Sequence, residues 1–125
     1  MTRDIKLPGP EHPITIEPSA SRVVVRVGAQ VVADTTSALA LSEAGYPPVH
    51  YIPLADVDQS MLRRTDNTTY CPYKGDCSYY TLTAPGGDLL DAVWTYEHPY
   101  PAVASIVGHV AFYPDRVQLA VGDEA

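Results

Sequence analysis

Apolar residues in this chain come in short alternating or continuous blocks, and turn residues separate nearly all of them. Arg22-Val23-Val24-Val25-Arg26-Val27, then Gly28-Ala29, then Gln30-Val31-Val32-Ala33-Asp34, reads as a β-hairpin with glycine at the turn. Period-two geometry places Val23, Val25 and Val27 on one face, predicted to point at the core, and Val24 and Arg26 on the other. Ile14 to Glu17 predicts a short edge strand, and further strand signals recur at 38–42, 49–52, 78–83, 92–96, 109–113 and 117–121. The Ala-Pro-Gly-Gly-Asp run at 84–88 and the Tyr-Pro-Asp-Arg run at 113–116 each predict a hairpin turn. One helix is predicted between Asp56 and Arg63, with Asp56 as its cap and Val57, Met61 and Leu62 as its apolar stripe. Arg63 and Arg64 would then be solvated charges at the end of that helix, where the dipole favours them. The pattern predicts a mainly β fold: one compact antiparallel barrel or sandwich-like domain with one short helix.

Residues 1–13 are expected to form an extended arm, because Pro8, Pro10 and Pro13 remove backbone donors and fix backbone angles. Residues 14–121 are expected to form the β domain and 122–125 an acidic tail. A length of 125 residues suffices for one apolar core without metal or disulfide staples. The longest apolar runs are strand-sized, and the charges at Arg3, Asp4 and Lys6 interrupt any secretory leader, so a cytoplasmic protein without a membrane partner is expected. A net charge of −7 repels phosphate backbones and excludes non-specific nucleic-acid binding, although Arg63, Arg64 and Lys74 leave room for a local basic spot.

The Val23 to Ala33 hairpin is joined by four further boxes: Pro47-Pro48-Val49-His50-Tyr51-Ile52-Pro53, Thr69-Tyr70-Cys71-Pro72-Tyr73-Lys74-Gly75, Trp94-Thr95-Tyr96 and Gly108-His109-Val110-Ala111-Phe112-Tyr113. In this order and spacing they resemble the family called domain of unknown function 427, from about residue 20 onward. The resemblance implies a compact β domain, usually a stand-alone bacterial protein, with no established activity. Cys77 departs from the pattern, in which a small residue such as alanine would stand there.

The densest candidate chemistry lies between Thr68 and Tyr80. Pro72 and Gly75 mark tight turns, and a turn over Cys71 to Lys74 would fold the Lys74 amine back over the Cys71 thiol and stabilise its thiolate. A covalent mechanism would also want a base, for which His50 and His109 are candidates; the alternative for Cys71 is a small buried hydrophobe. Cys71 and Cys77 are poorly spaced for zinc, the four histidines are scattered, and an oxidising compartment is not indicated, so neither a metal nor a disulfide is expected. Asp56 and Asp58 have the spacing of a magnesium-clasping pair, but capping explains Asp56, and the chain has no glycine-rich phosphate cradle; no cofactor is expected.

Tyr79 and Tyr80 face opposite ways on one strand, Trp94 and Tyr96 share a face, and so do His109, Ala111 and Tyr113. Converging, these faces would wall a small-ligand pocket with Tyr73, Lys74, Tyr79, Trp94 and Tyr96, Lys74 supplying charge for a polar or anionic ligand. The alternatives are an enzyme using Cys71 as nucleophile or redox thiol, with Lys74 beside it, and a structural module presenting the same tyrosines to a protein partner.

Overall fold

The computed structural model describes residues 5–122. Residues 1–4 of the expected arm, and 123–125 of the acidic tail expected at 122–125, lie outside the described residues. Ten strands form among the described residues: β1 (Ile14–Pro18), β2 (Val23–Val27), β3 (Gln30–Thr35), β4 (Leu39–Glu43), β5 (Val49–Pro53), β6 (Leu62–Cys71), β7 (Gly75–Ala84), β8 (Gly87–Thr95), β9 (His109–Phe112) and β10 (Gln118–Val121). Seven make one antiparallel sheet in the order β1-β4-β5-β9-β8-β7-β6, and three make a second in the order β10-β2-β3. The large sheet does not close into a barrel; the arrangement is sandwich-like, as the strand pattern predicts.

Alternation along the central strands gives the large sheet two apolar faces. On β9, Val110 and Phe112 join a cluster with Val23, Val25, Val32 and Ala33 of the small sheet. Ala111 between them points the other way, into a cluster with Leu41, Tyr51, Tyr79 and Tyr96. β5 divides in the same manner, with Ile52 facing the small sheet and Tyr51 the opposite side. Val23 and Val25 are therefore core residues, as their period predicts. Val24 was expected on the outer face but is equally sequestered, all three being 0% exposed.

The predicted helix is replaced by two 3-10 turns, Leu54–Asp56 and Gln59–Met61, separated by extended backbone at Val57. Val57 bridges Ala33 of the small sheet, an extended geometry incompatible with a continuing helix, and it buries there together with Met61. The cap is Asp58, which accepts from the Ser60 N–H, while Asp56 accepts from the Thr35 hydroxyl at 2.7 Å. Arg63 and Arg64 are thus not at a helix end. They sit on β6, the edge of the large sheet, where Arg63 pairs with Asp88 at 3.2 Å and Arg64 with Glu97 at 2.7 Å. Chain direction reverses at 84–87 as predicted, with Ala84 opposite Gly87. The turn at 113–116 also forms, yet it joins no hairpin, because β9 and β10 belong to different sheets.

A further 3-10 segment, Pro101–Ile106, seats Val103 and Ile106 on the face away from the small sheet. No helix among the described residues is long and apolar enough to cross a membrane.

Candidate ligand pocket

The face of the large sheet that turns away from the small sheet is only partly covered, and a pocket of about 500 Å³ opens there. Its wall combines Leu41 and Glu43 of β4, Tyr51 of β5, Cys77 and Tyr79 of β7, Trp94 of β8 and Tyr96 just past the end of β8. Tyr46, Pro47 and Pro48 form one rim and Tyr113 with Pro114 another. The volume is in the range of sites that hold small organic molecules.

Lys74 reaches this pocket through a local turn. Its N–H donates to the Cys71 carbonyl at 3.2 Å, closing the Cys71 to Lys74 turn, and its own carbonyl accepts from Tyr100 N–H at 3.0 Å. The next residue, Gly75, has φ of +110°, and a Cβ there would meet the His98 carbonyl oxygen at 3.3 Å. Glycine is therefore needed both for the backbone angle and for the close approach. With the backbone held so, the Lys74 side chain lies over the sheet, only 12% exposed, its Nζ 2.5 Å from Glu43 Oε1 and 5.8 Å from the centre of the Tyr96 ring. The other carboxylate oxygen of Glu43 takes a 2.7 Å hydrogen bond from His12 Nε2. Burial disfavours the Glu43 carboxylate, but the hydrogen bonds from Lys74 and His12, with their charges, outweigh it and hold its pKa below the ordinary value.

The remaining polar atoms are phenols, an indole and a thiol. Trp94 Nε1 donates to the Tyr51 hydroxyl at 3.2 Å, and the Thr69 and Tyr79 hydroxyls are 2.8 Å apart. Burial pushes the Tyr79 phenol up to about 12 and raises the Tyr51 and Tyr96 phenols and the Cys77 thiol as well. All four are neutral at neutral pH, so the Glu43–Lys74 pair carries the charge of the pocket wall. The Trp94 and Tyr113 rings lie 4.5 Å apart, and Tyr51 meets Trp94 edge-on at 6.4 Å.

Of the residues singled out from sequence, the fold brings Lys74, Tyr79, Trp94 and Tyr96 together in this pocket. Tyr73 goes elsewhere: its ring stacks on His12 at 4.1 Å, beside a shallower hollow formed with Leu7 and residues 9–12 of the arm. Cys71 is also outside the pocket wall, half-buried against the cluster beneath it, and the thiol that faces the pocket belongs to Cys77. The Lys74 ammonium is engaged by Glu43 and Tyr96, so the picture of an amine dedicated to the Cys71 thiolate is not what the turn produces. Neither His50 nor His109 lines the pocket; the His109 ring binds the Val107 carbonyl at 2.8 Å. Both cysteines are free thiols. Asp56 and Asp58 keep the local roles described above, and among the described residues no three His, Cys, Asp or Glu side chains gather as a metal site. Sequence reasoning missed Glu43, Tyr51 and Cys77. Period two on β7 places Cys77 on the Tyr79 face, a signal present in the chain, whereas nothing marked Glu43 as the partner of a lysine 31 residues away.

Fold and pocket together define a small antiparallel β domain with an aromatic, ion-paired cavity on the open face of its larger sheet. The chain belongs to the family described as Domain of unknown function (DUF427), which matches over residues 15–123. No curated protein matches the chain.

Proposed function

We propose that this domain binds a small polar organic molecule in the pocket formed by Lys74, Tyr79, Trp94 and Tyr96, acting in the bacterial cytoplasm. The observation that carries the reading is the convergence of those four side chains, from three separate segments, on one cavity of about 500 Å³. A packed core has no use for such a space, and filling it with a ligand returns dispersion contacts that the wall otherwise lacks. The two free thiols, Cys71 and Cys77, fit a reducing compartment. Because the aromatic residues form a concavity, the geometry favours a small ligand over a protein partner docking on a protruding patch. The nucleophile reading of Cys71 gains no support, since that thiol lies outside the wall.

The test is a screen of small polar aromatic compounds followed by melting temperature and by the fluorescence of Trp94, the single tryptophan. A saturable rise in melting temperature with a parallel change in Trp94 emission is expected, weakened in Tyr113→Ala. Tyr113 is 37% exposed at the rim, so its truncation should leave the fold intact. Ligands that stabilise Tyr113→Ala and wild type equally, with no response from Trp94, would place binding elsewhere and defeat the proposal.

A further inference from the structure

The charge state and donor pattern of the wall narrow the ligand class, and this step rests on the pocket being a binding site. Lys74 and Glu43 both line the cavity with side chains only 12% and 17% exposed, joined by a 2.5 Å contact. Both Glu43 oxygens are engaged, Oε1 by Lys74 and Oε2 by His12, which lies behind the wall. The ammonium also faces the Tyr96 ring. An anionic ligand seeking Lys74 would have to sit beside the Glu43 carboxylate or displace it. A cationic one would meet the ammonium in the same way. The surrounding phenols and thiol, held neutral by burial, add hydrogen-bonding capacity without adding charge.

We infer that the pocket takes a neutral, flat, unsaturated ring bearing an amide or lactam edge. An amide offers an oxygen acceptor and an N–H donor about 2.3 Å apart, given standard bond lengths. That spacing matches a wall in which an ammonium donor and a carboxylate acceptor stand 2.5 Å apart. The ammonium has three protons and the carboxylate oxygens have two lone pairs each, so both partners retain capacity while paired to one another. The amide oxygen accepts from Lys74 Nζ and its N–H donates to Glu43, leaving the ion pair intact. The ring then packs beside Trp94 and Tyr113, which line the cavity and contact each other at 4.5 Å, with Pro47 and Pro48 also in the wall.

Benzamide, benzoate and benzamidine test this directly, because they share one shape and differ in edge chemistry: one acceptor and donors, acceptors alone, and donors alone. Each is titrated at pH 7 into the full chain, read by Trp94 emission and by melting temperature. Benzamide is expected to bind about tenfold more tightly than either charged analogue, a difference of about 1.4 kcal/mol. In Glu43→Gln, which leaves Lys74 without its counter-charge, the order should shift toward benzoate; circular dichroism checks that this variant is folded, and if it is not, Lys74→Met should shift the order toward benzamidine. Benzoate or benzamidine binding the wild type as tightly as benzamide overturns the ligand class while leaving the pocket as a binding site. No response to any of the three, by either readout, overturns the ligand class, while the pocket reading stands or falls on the wider screen.

Discussion

Replacing Glu43 by methionine tests how far the pocket depends on its ion pair. The substitution keeps an unbranched side chain on β4 but leaves the Lys74 ammonium, 12% exposed, without a counter-charge and takes from His12 its acceptor. Removing one partner of a fully buried pair costs about 3–5 kcal/mol, and breaking an exposed pair costs about 0.2–1 kcal/mol. At 12% and 17% exposure the Lys74–Glu43 pair lies nearer the first case, and residual solvation of the ammonium brings the expected cost to about 2–4 kcal/mol. An unfolding entropy of about 2.1 cal/mol/K per residue gives about 0.26 kcal/mol/K for this chain, so the melting temperature should fall by about 8–15 °C. Differential scanning calorimetry measures this. The double variant Glu43→Met/Lys74→Met should recover most of the loss, since two apolar side chains of similar length leave no orphaned charge. A single variant melting within about 2 °C of wild type would mean that solvent screens the pair as it does on a surface. The ion pair would then not be what holds the pocket wall in place.

Val25→Asp should be far more damaging than any surface change, costing several kcal/mol, because Val25 is 0% exposed in the cluster between the sheets and the carboxylate would have no partner there; chemical denaturation measures it. Because the Glu43 carboxyl has a folded pKa below its ordinary value of 4.5, its contribution is fully present above about pH 5 and is lost as pH falls through the lower folded value. Melting temperature should therefore drop less between pH 5 and pH 3 in Glu43→Gln than in wild type; an identical drop would remove Glu43 from the acid response. Thiol titration of native protein should label Cys71, which is half-buried, well before Cys77, which is 2% exposed with its thiol pKa raised by burial; mass spectrometry of the early adduct identifies the site.

Much of the fold was legible wherever one strand face is buried and a turn residue follows. The β2–β3 and β7–β8 hairpins announced themselves because short β-rich apolar blocks flank a turn, where Gly28 and Gly86 supply the positive φ of 59° and 92°. β6 escaped notice because it is an edge strand. Its run Arg63-Arg64-Thr65-Asp66-Asn67-Thr68-Thr69 faces solvent, so it lacks an apolar alternation, and pairing with β7 alone makes it a strand. The stripe Val57, Met61, Leu62 has helical spacing, but Val57 reaches the core from extended backbone between two 3-10 turns and Met61 from the second of them. Tyr79, Trp94 and Tyr96 were visible through period two on β7 and at the end of β8, and Lys74 through the turn residues Pro72 and Gly75 beside it. The partner of Lys74 was not, because a single glutamate on β4 looks like any solvated charge until the sheet order is known. Cys71 and Tyr73 were misleading for a related reason: a tight turn projects successive side chains in different directions, and here only Lys74 enters the cavity.

The contacts among His12, Glu43 and Lys74 span 31 residues in each step, joining the arm, β4 and the β6–β7 turn. Such a link pays the chain entropy of two large loops and forms only after the hairpins on either side have fixed their registers. A link of this sequence separation is expected in the last stage of assembly, with little of its energy present in the folding transition state. Weakening it should consequently leave the folding rate nearly unchanged and appear as faster unfolding. The pocket's charged edge would thereby double as a kinetic latch, the closure of the pocket wall and much of the domain's resistance to opening arriving in the same late step.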